Sequence, residues 1–409
     1  MRVLKPLICL VCILGMLLVS CMSEAVFAAD NAKPSAVCTT CAFEPEALAL
    51  EKLLTQYKAL ADNGGWPQWQ TGKTIKLHQK DARITTLRQI LTITGDYAAG
   101  PQPLPKQDAG RLNNALADGV KHFQARHGLN PDGALGKSTQ EALAVSIEGR
   151  IRQIEETISR IRSRAQPGEA KFILVNLPAF TLYGIKNGKP EITMRVIIGS
   201  PKNPTPLFDN EITDVIFNPQ WHVPPRIATR EMAPKLLKDP AYFVRAGFVV
   251  TQDGQPVDPL HFTPDGGKLG FRQRAGNENA LGKIKFNLPD SDDIYLHSTS
   301  TPKLFAKDER ALSHGCVRVE HPQDLAYFTF EDKADWGVKR IDAAYESSRE
   351  RWVKVNALPV HLVYWTALVD GAGTAHFYKD VYGIDDDGQE ADATDESKPA
   401  AITVADSSR

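Results

Sequence analysis

Hydrophobic positions recur with a helical period over the first third of the chain. Leu48, Leu53, Leu54, Tyr57 and Leu60 share one helical face, and Leu112, Leu116, Val120 and Phe123 repeat the spacing. The turn residues Asn130-Pro131-Asp132-Gly133 follow, and Ser138 with Glu141 predicts a capping box that opens the next helix. Ile151, Ile154, Ile158 and Ile161, interleaved with arginines, predict an amphipathic helix. Residues 45–165 therefore read as an all-α module.

At Lys171 the period shortens to two. Phe172, Leu174 and Leu182-Tyr183 alternate, and Lys186-Asn187-Gly188-Lys189 predicts a two-residue hairpin turn. Met194–Ile198, Thr213–Phe217, Lys283–Leu288 and Asp293–His297 predict further strands, and His321-Pro322 opens a helical stretch to Phe330. Residues 170–345 make a mostly-β domain. Val360–Val369 and Thr374–Tyr378 predict strands around Asp370-Gly371, so 346–384 reads as a C-terminal β hairpin completing that domain. Residues 225–280 are loop-rich, charged and too long for an ordinary connection, which predicts a capping insertion over a site. The fold class is α+β.

The ends carry different signals. Arg2 and Lys5, the apolar run Leu7–Val19 and the small-residue site Val26-Phe27-Ala28 predict a secretory signal over residues 1–28. Leu18-Val19-Ser20-Cys21 equally fits a lipoprotein box, with Cys21 as a lipid anchor. Either reading places the mature chain beyond the cytoplasmic membrane, in the periplasm. Residues 29–44 read as a linker and 385–409, acidic and then Ser/Ala-rich, as a disordered tail. With 409 residues, 42% of them hydrophobic, there is material for two or three domains. Lys+Arg 48 against Asp+Glu 49 gives a net charge of -1, which argues against a nucleic-acid partner.

Cysteine usage changes the picture most. Cys38 and Cys41 read as a small local disulfide, which leaves Cys316 as the odd thiol in an exported chain. It sits in Ser313-His314-Gly315-Cys316-Val317-Arg318, with His297 at the end of a predicted strand. An imidazole can take the thiol proton and hold the resulting anion in an ion pair, so Cys316 is the candidate nucleophile and His297 its base. Ser298, through its backbone carbonyl or hydroxyl, is placed to orient the imidazole. The amides of Gly315 and Cys316 are candidate oxyanion donors, and Arg318 a carboxylate anchor or loop brace.

His297 with the run from Ser313 to Arg318 resembles the L,D-transpeptidase family. Phe217-Asn218-Pro219-Gln220-Trp221-His222-Val223-Pro224, Asn279-Ala280-Leu281-Gly282 and Tyr295-Leu296-His297 are similar to its large periplasmic subgroup, although His222 stands where relatives often have Asn. The run from Phe123 to Thr139 resembles the three-helix peptidoglycan-binding module that such proteins carry. The resemblance implies Cys316 as nucleophile, His297 as proton carrier, Ser298 as its orienter and Gly315 in the oxyanion hole. It implies Arg318, His314, Tyr295, Trp221 and Asn218 around the substrate, with no metal and no cofactor. The implied reaction is a 3→3 crosslink between peptidoglycan stem peptides, with release of D-alanine and acylation of the same sulfur by carbapenems. Glycan and stem peptides are the expected partners, with wall-synthesis proteins as further candidates.

Other readings compete. Water as acceptor makes a carboxypeptidase or crosslink hydrolase, and a lipoprotein lysine makes a tethering enzyme. His297, His314, Cys316 and His321 could form a zinc set, though no spacing matches a known closed site. A non-catalytic wall anchor would retain the fold without the chemistry. Trp66, Trp69 and Trp221 are candidate glycan-stacking platforms, with core or inter-domain packing the competing reading for the first two.

Overall fold

The computed structural model describes residues 43–98, 110–164, 169–263, 266–291 and 293–385. The expected signal, Cys21, Cys38, Cys41 and most of the expected tail lie outside them. Five helices come first: α1 (Glu44–Asp62), α2 (Ile84–Ile93), α3 (Asn114–Arg126), α4 (Lys137–Ala144) and α5 (Ile147–Ser163). Leu87, Leu91, Leu112, Leu116, Val120 and Phe123 form the module's own core. Asn113 caps α3 through Leu116 N–H, and Ser146 caps α5 through Gly149 N–H. Two local expectations fail. Helix α4 starts a residue before Ser138 with Gly136 at its N-cap, so Ser138 caps nothing. Leu48 is exposed, because the first turns of α1 bury Ala47 and Leu50 instead, while Leu53, Leu54 and Tyr57 of the expected stripe do pack inward.

The β domain supplies β1 (Lys171–Asn176), β2 (Thr181–Lys186), β3 (Lys189–Gly199) and β4 (Asp209–Phe217). The cap supplies β5 (Trp221–His222), β6 (Phe248–Gln252), β7 (Gln255–Val257) and β8 (Leu269–Gln273). Then come β9 (Ile284–Asn287), β10 (Leu296–His297), β11 (Ala311–Ser313), β12 (Val317–Val319) and β13 (Arg351–Val363). Nine of these pair in the order β11-β3-β12-β10-β9-β4-β13-β1-β2, and β2 also pairs with β3, so the sheet closes on itself. The predicted hairpin turn joins β2 to β3, with Asn187 and Gly188 both at positive φ as that tight turn requires.

Residues 351–363 are not half of a terminal hairpin. They form one 13-residue strand inside the main sheet, between β4 and β1. The hairpin is only β14 (Ala367–Val369) with β15 (Ala375–Phe377), and Ala367 and Phe377 share a core with α1 and α5. Residue 385 does not begin a tail either: Asp385 is buried, pairs with Arg160 and accepts the Thr366 hydroxyl at 2.6 Å.

The cap is better folded than its composition suggests. Strands pair β5-β8-β6-β7, and helices α6 (Pro225–Ile227), α7 (Ala233–Lys238) and α8 (Pro240–Arg245), with a π turn at Ala228–Met232, lie against them. Met232, Leu236, Phe243, Phe248, Val250 and Phe271 give it a separate core, and its sheet recruits Trp221–His222 from before residue 225. Helices α9 (Pro322–Phe330) and α10 (Val338–Glu346) cover the main sheet, with Trp336 stacked 5.5 Å from Phe217 and 4.8 Å from Phe330. Among the described residues, no helix is long and apolar enough to cross a membrane.

Candidate active site

Strand register brings the candidate residues together. Strands β10 and β12 run parallel, with Leu296 beside Val317 and His297 beside Arg318. Leu296 and Val317 are fully buried in the main core, so alternation turns His297 and Arg318 to the opposite face. One step earlier in the same alternation come Tyr295 and Cys316. All four line a cavity of about 690 Å³, together with Trp221, His314 and Gly315. Its other wall is the cap, through Arg226, Ile227 and Glu231.

Cys316 is half-buried, and its Sγ donates to the Asp293 carbonyl oxygen at 3.1 Å. Burial pushes the thiol pKa up from its ordinary value, while Tyr295 and the Lys285 ammonium work the other way. His297 is buried, and its Nδ1 has no hydrogen-bond partner. Burial, then the Arg318 charge beside it, pushes the imidazole down to about 3, against the favourable backbone of Ser298 and Leu281. Both shifts weigh against the ion pair expected from the sequence and favour thiol and imidazole.

The loop before Cys316 is held from three sides. Ser313 Oγ donates to the Cys316 carbonyl oxygen at 2.6 Å and accepts the Gly315 N–H at 3.1 Å. Thr205 Oγ1 donates to the Gly315 carbonyl oxygen at 2.6 Å. Gly315 has φ +122°, a conformation that side chains rarely adopt, and a Cβ there would meet Ile294 at 3.0 Å. Because the Gly315 N–H is already bound, its value lies in that conformation, and it is not a free oxyanion donor.

Ser298 supports His297 from behind. Its Oγ accepts the Lys283 N–H at 2.6 Å and donates to the Leu281 carbonyl oxygen at 3.1 Å. Gly282 makes that contact possible: a Cβ would stand 1.9 Å from Ser298 Oγ. Arg318 is largely buried in the cavity wall with an unpartnered Nε. His314 reaches outward, 2.8 Å from Glu231 of the cap. Asn218 is the one expected substrate residue that the fold uses otherwise. It is buried with φ +50°, and its amide donates to the Ala344 carbonyl oxygen at 2.9 Å, outside the cavity.

Sequence reasoning missed Lys285. It pairs with His297 across β9 and β10, and its ammonium lies 3.9 Å over the Tyr295 ring. Burial lowers its pKa, and the Cys316 charge acts to raise it. A signal existed, since Lys285 alternates with the apolar Ile284 and Phe286. Its partner across the strand was invisible without the register. Burial, then Cys316 and Asp293, raises the Tyr295 phenol well above its ordinary range, so it stays protonated. Behind Trp221 and Tyr295 lies a second cavity of about 340 Å³ that reaches Lys285 and Trp352. Of the other tryptophans, Trp69 is buried in the helical core and Trp66 packs against it. No group of three or more metal-ligating side chains converges among the described residues.

Residues 170–331 match the family model described as the YkuD L,D-transpeptidase catalytic domain. Residues 80–143 match the one described as "Putative peptidoglycan binding domain". A curated protein of Haemophilus influenzae, named "Putative L,D-transpeptidase", is 33% identical over 229 residues, 55% of this chain and 46% of that protein. The chain thus spans about half the length of that relative. Among solved structures, an L,D-transpeptidase of Stackebrandtia nassauensis is 15% identical over 73% of this chain and 97% of its own, with TM-score 0.27. That of Xylanimonas cellulosilytica is 15% identical over 73% and 98%, with TM-score 0.22.

Proposed function

From a chain that carries the catalytic domain of the L,D-transpeptidase family and a peptidoglycan-binding domain, we infer an enzyme that joins peptidoglycan stem peptides through a thioester on Cys316. One observation carries the reading: Cys316 and His297 face a single cap-covered cavity from adjacent strands. His297, which faces the same cavity, takes the thiol proton as sulfur attacks the carbonyl on the L-centre of the donor's diamino acid. The Cys316 N–H, next along the loop, donates to the oxyanion. The carbon–nitrogen bond to D-alanine breaks, and His297 returns its proton to the leaving amine.

The side-chain amine of a second stem then attacks the thioester and loses a proton to His297. The carbon–sulfur bond breaks, and sulfur recovers that proton. Lys285 and Arg318 bias the site toward the thiolate as it forms, and Arg318 is placed to receive a substrate carboxylate. Two adjoining cavities that meet at Trp221 and Tyr295 suit a reaction with two peptide partners. The cap keeps water from the thioester. The substrate lies beyond the cytoplasmic membrane, which agrees with the signal-like start of the sequence.

The test is muropeptide analysis of purified sacculi treated with wild type and Cys316→Ala. Dimers joined between two diamino acids should form with wild type alone, and a carbapenem should add its mass to wild type alone. Monomers trimmed of D-alanine without dimers would replace the crosslinking assignment with a hydrolase.

A further inference from the structure

A second large cavity, of about 590 Å³, shares no lining residue with the one at Cys316. It lies between helices α4 and α5 of the helical module and the segment that follows β15. Its floor holds Arg150, only 5% exposed. The guanidinium donates to Gln153 Oε1 at 2.8 Å and to the Ala142 carbonyl oxygen at 2.7 Å, and stands 4.8 Å over the Phe377 ring. Both acceptors are neutral, and the Arg126 cation acts against the Arg150 charge. Burial pushes the Arg150 pKa down to about 9, so the group stays charged at neutral pH.

A buried charge with no opposite charge is costly, and packing alone would be better served by an apolar side chain. The carboxylates at this cavity do not answer Arg150, because each is engaged elsewhere. Asp385 pairs with Arg160, Asp380 accepts the Tyr364 hydroxyl, and Glu141 is 3.3 Å from Lys379. Arg152 adds a further cation at the mouth, and Tyr378 and Leu129 give apolar walls. A volume of this order suits a short peptide or a sugar-sized ligand. A ligand that combines methyl groups with a carboxylate matches both the walls and the floor.

We propose that this cavity binds a carboxylate-bearing stem peptide of peptidoglycan, with the carboxylate on Arg150. The proposal rests on the peptidoglycan reading above and adds a second, non-reacting site to it. It would hold one strand of the wall while another enters the cavity at Cys316.

The experiment titrates the full chain carrying Cys316→Ala with the tripeptide L-alanyl-γ-D-glutamyl-diaminopimelate and with its fully amidated analogue, by calorimetry. A class of sites should be present that Arg150→Met weakens at least 10-fold and Arg152→Met about 3-fold. The amidated peptide should lose the same class. Carbapenem acylation of Arg150→Met, with Cys316 intact, should match wild type and so report an intact fold. If Arg150→Met does not fold, Arg152→Met and Lys379→Met decide, and unchanged binding in both overturns the site. Stem-peptide binding indifferent to Arg150, in a protein that still crosslinks sacculi, removes this site and spares the proposed reaction. Arg150-dependent binding in a protein that forms no crosslinks does the reverse.

Discussion

Cys316 lies in a row of groups that no sequence pattern would rank together. Lys285, His297 and Arg318 stand side by side across β9, β10 and β12, with two cations flanking a histidine. Burial and those charges push the imidazole down to about 3, which leaves it unprotonated and a weak base until the charge balance of the site changes. Since the thiol pKa is raised, its alkylation by iodoacetamide should climb steadily above neutral pH. A plateau from pH 5 to 8 would instead indicate a resting thiolate–imidazolium pair. Lys285 favours the thiolate, so Lys285→Met should raise the thiol pKa further. It should slow both alkylation and carbapenem acylation at pH 7.5 about 10-fold, one unit of pKa being a factor of ten. Spacing along the chain singled out Cys316, His297 and Gly315, and the fold brings all three to one cavity. Lys285 was not, because cross-strand neighbours depend on register.

Strands set that register, and β13 holds it from the far side of the sheet. His361 on β13 lies 2.9 Å from Asp209 and 2.7 Å from Glu169. Burial disfavours its charge, but the two carboxylates prevail and raise its pKa above 6.5. A raised histidine pKa gives stability that is fully present below about 6.5, the unfolded value, and lost as pH rises through the folded value. The melting temperature should therefore fall over that window, and His361→Gln should flatten the dependence. An unchanged slope in His361→Gln would remove this strand-to-strand clasp from the account. In sequence Val360 runs on into the following hairpin, because the apolar run has no visible break at Tyr364. Only pairing with β1 and β4 assigns the run to the main sheet.

At the scale of the molecule, the helical module and the β domain share a core. Phe43, Leu50 and Ile158 pack with Phe172, Leu174 and Trp365, and Phe43 meets the Trp365 ring edge-on at 5.0 Å. Calorimetry should record one cooperative unfolding transition for both parts, and Trp365→Ala should lower stability by about 3–5 kcal/mol. Two separated transitions would mean that the shared core does not couple them. Arg160 adds a polar tie from α5 to Asp385 and the Ile384 carbonyl oxygen. This arrangement also creates the Arg150 cavity, whose walls come from segments more than 200 positions apart in sequence.

The sequence alone determined the α+β class, the helical and strand periods, the place of the cap and the choice of Cys316 and His297 as the candidate pair. Each of these follows from spacing along the chain or from the rarity of a residue type. Tertiary structure alone decided that Asn218 ties the end of β4 to α10, that Lys285 stands beside His297, that burial lowers the histidine pKa and that Arg150 is buried without a counter-ion. Those properties are relations between distant segments. Burial and charge act through space, where a residue's neighbours are chosen by the fold.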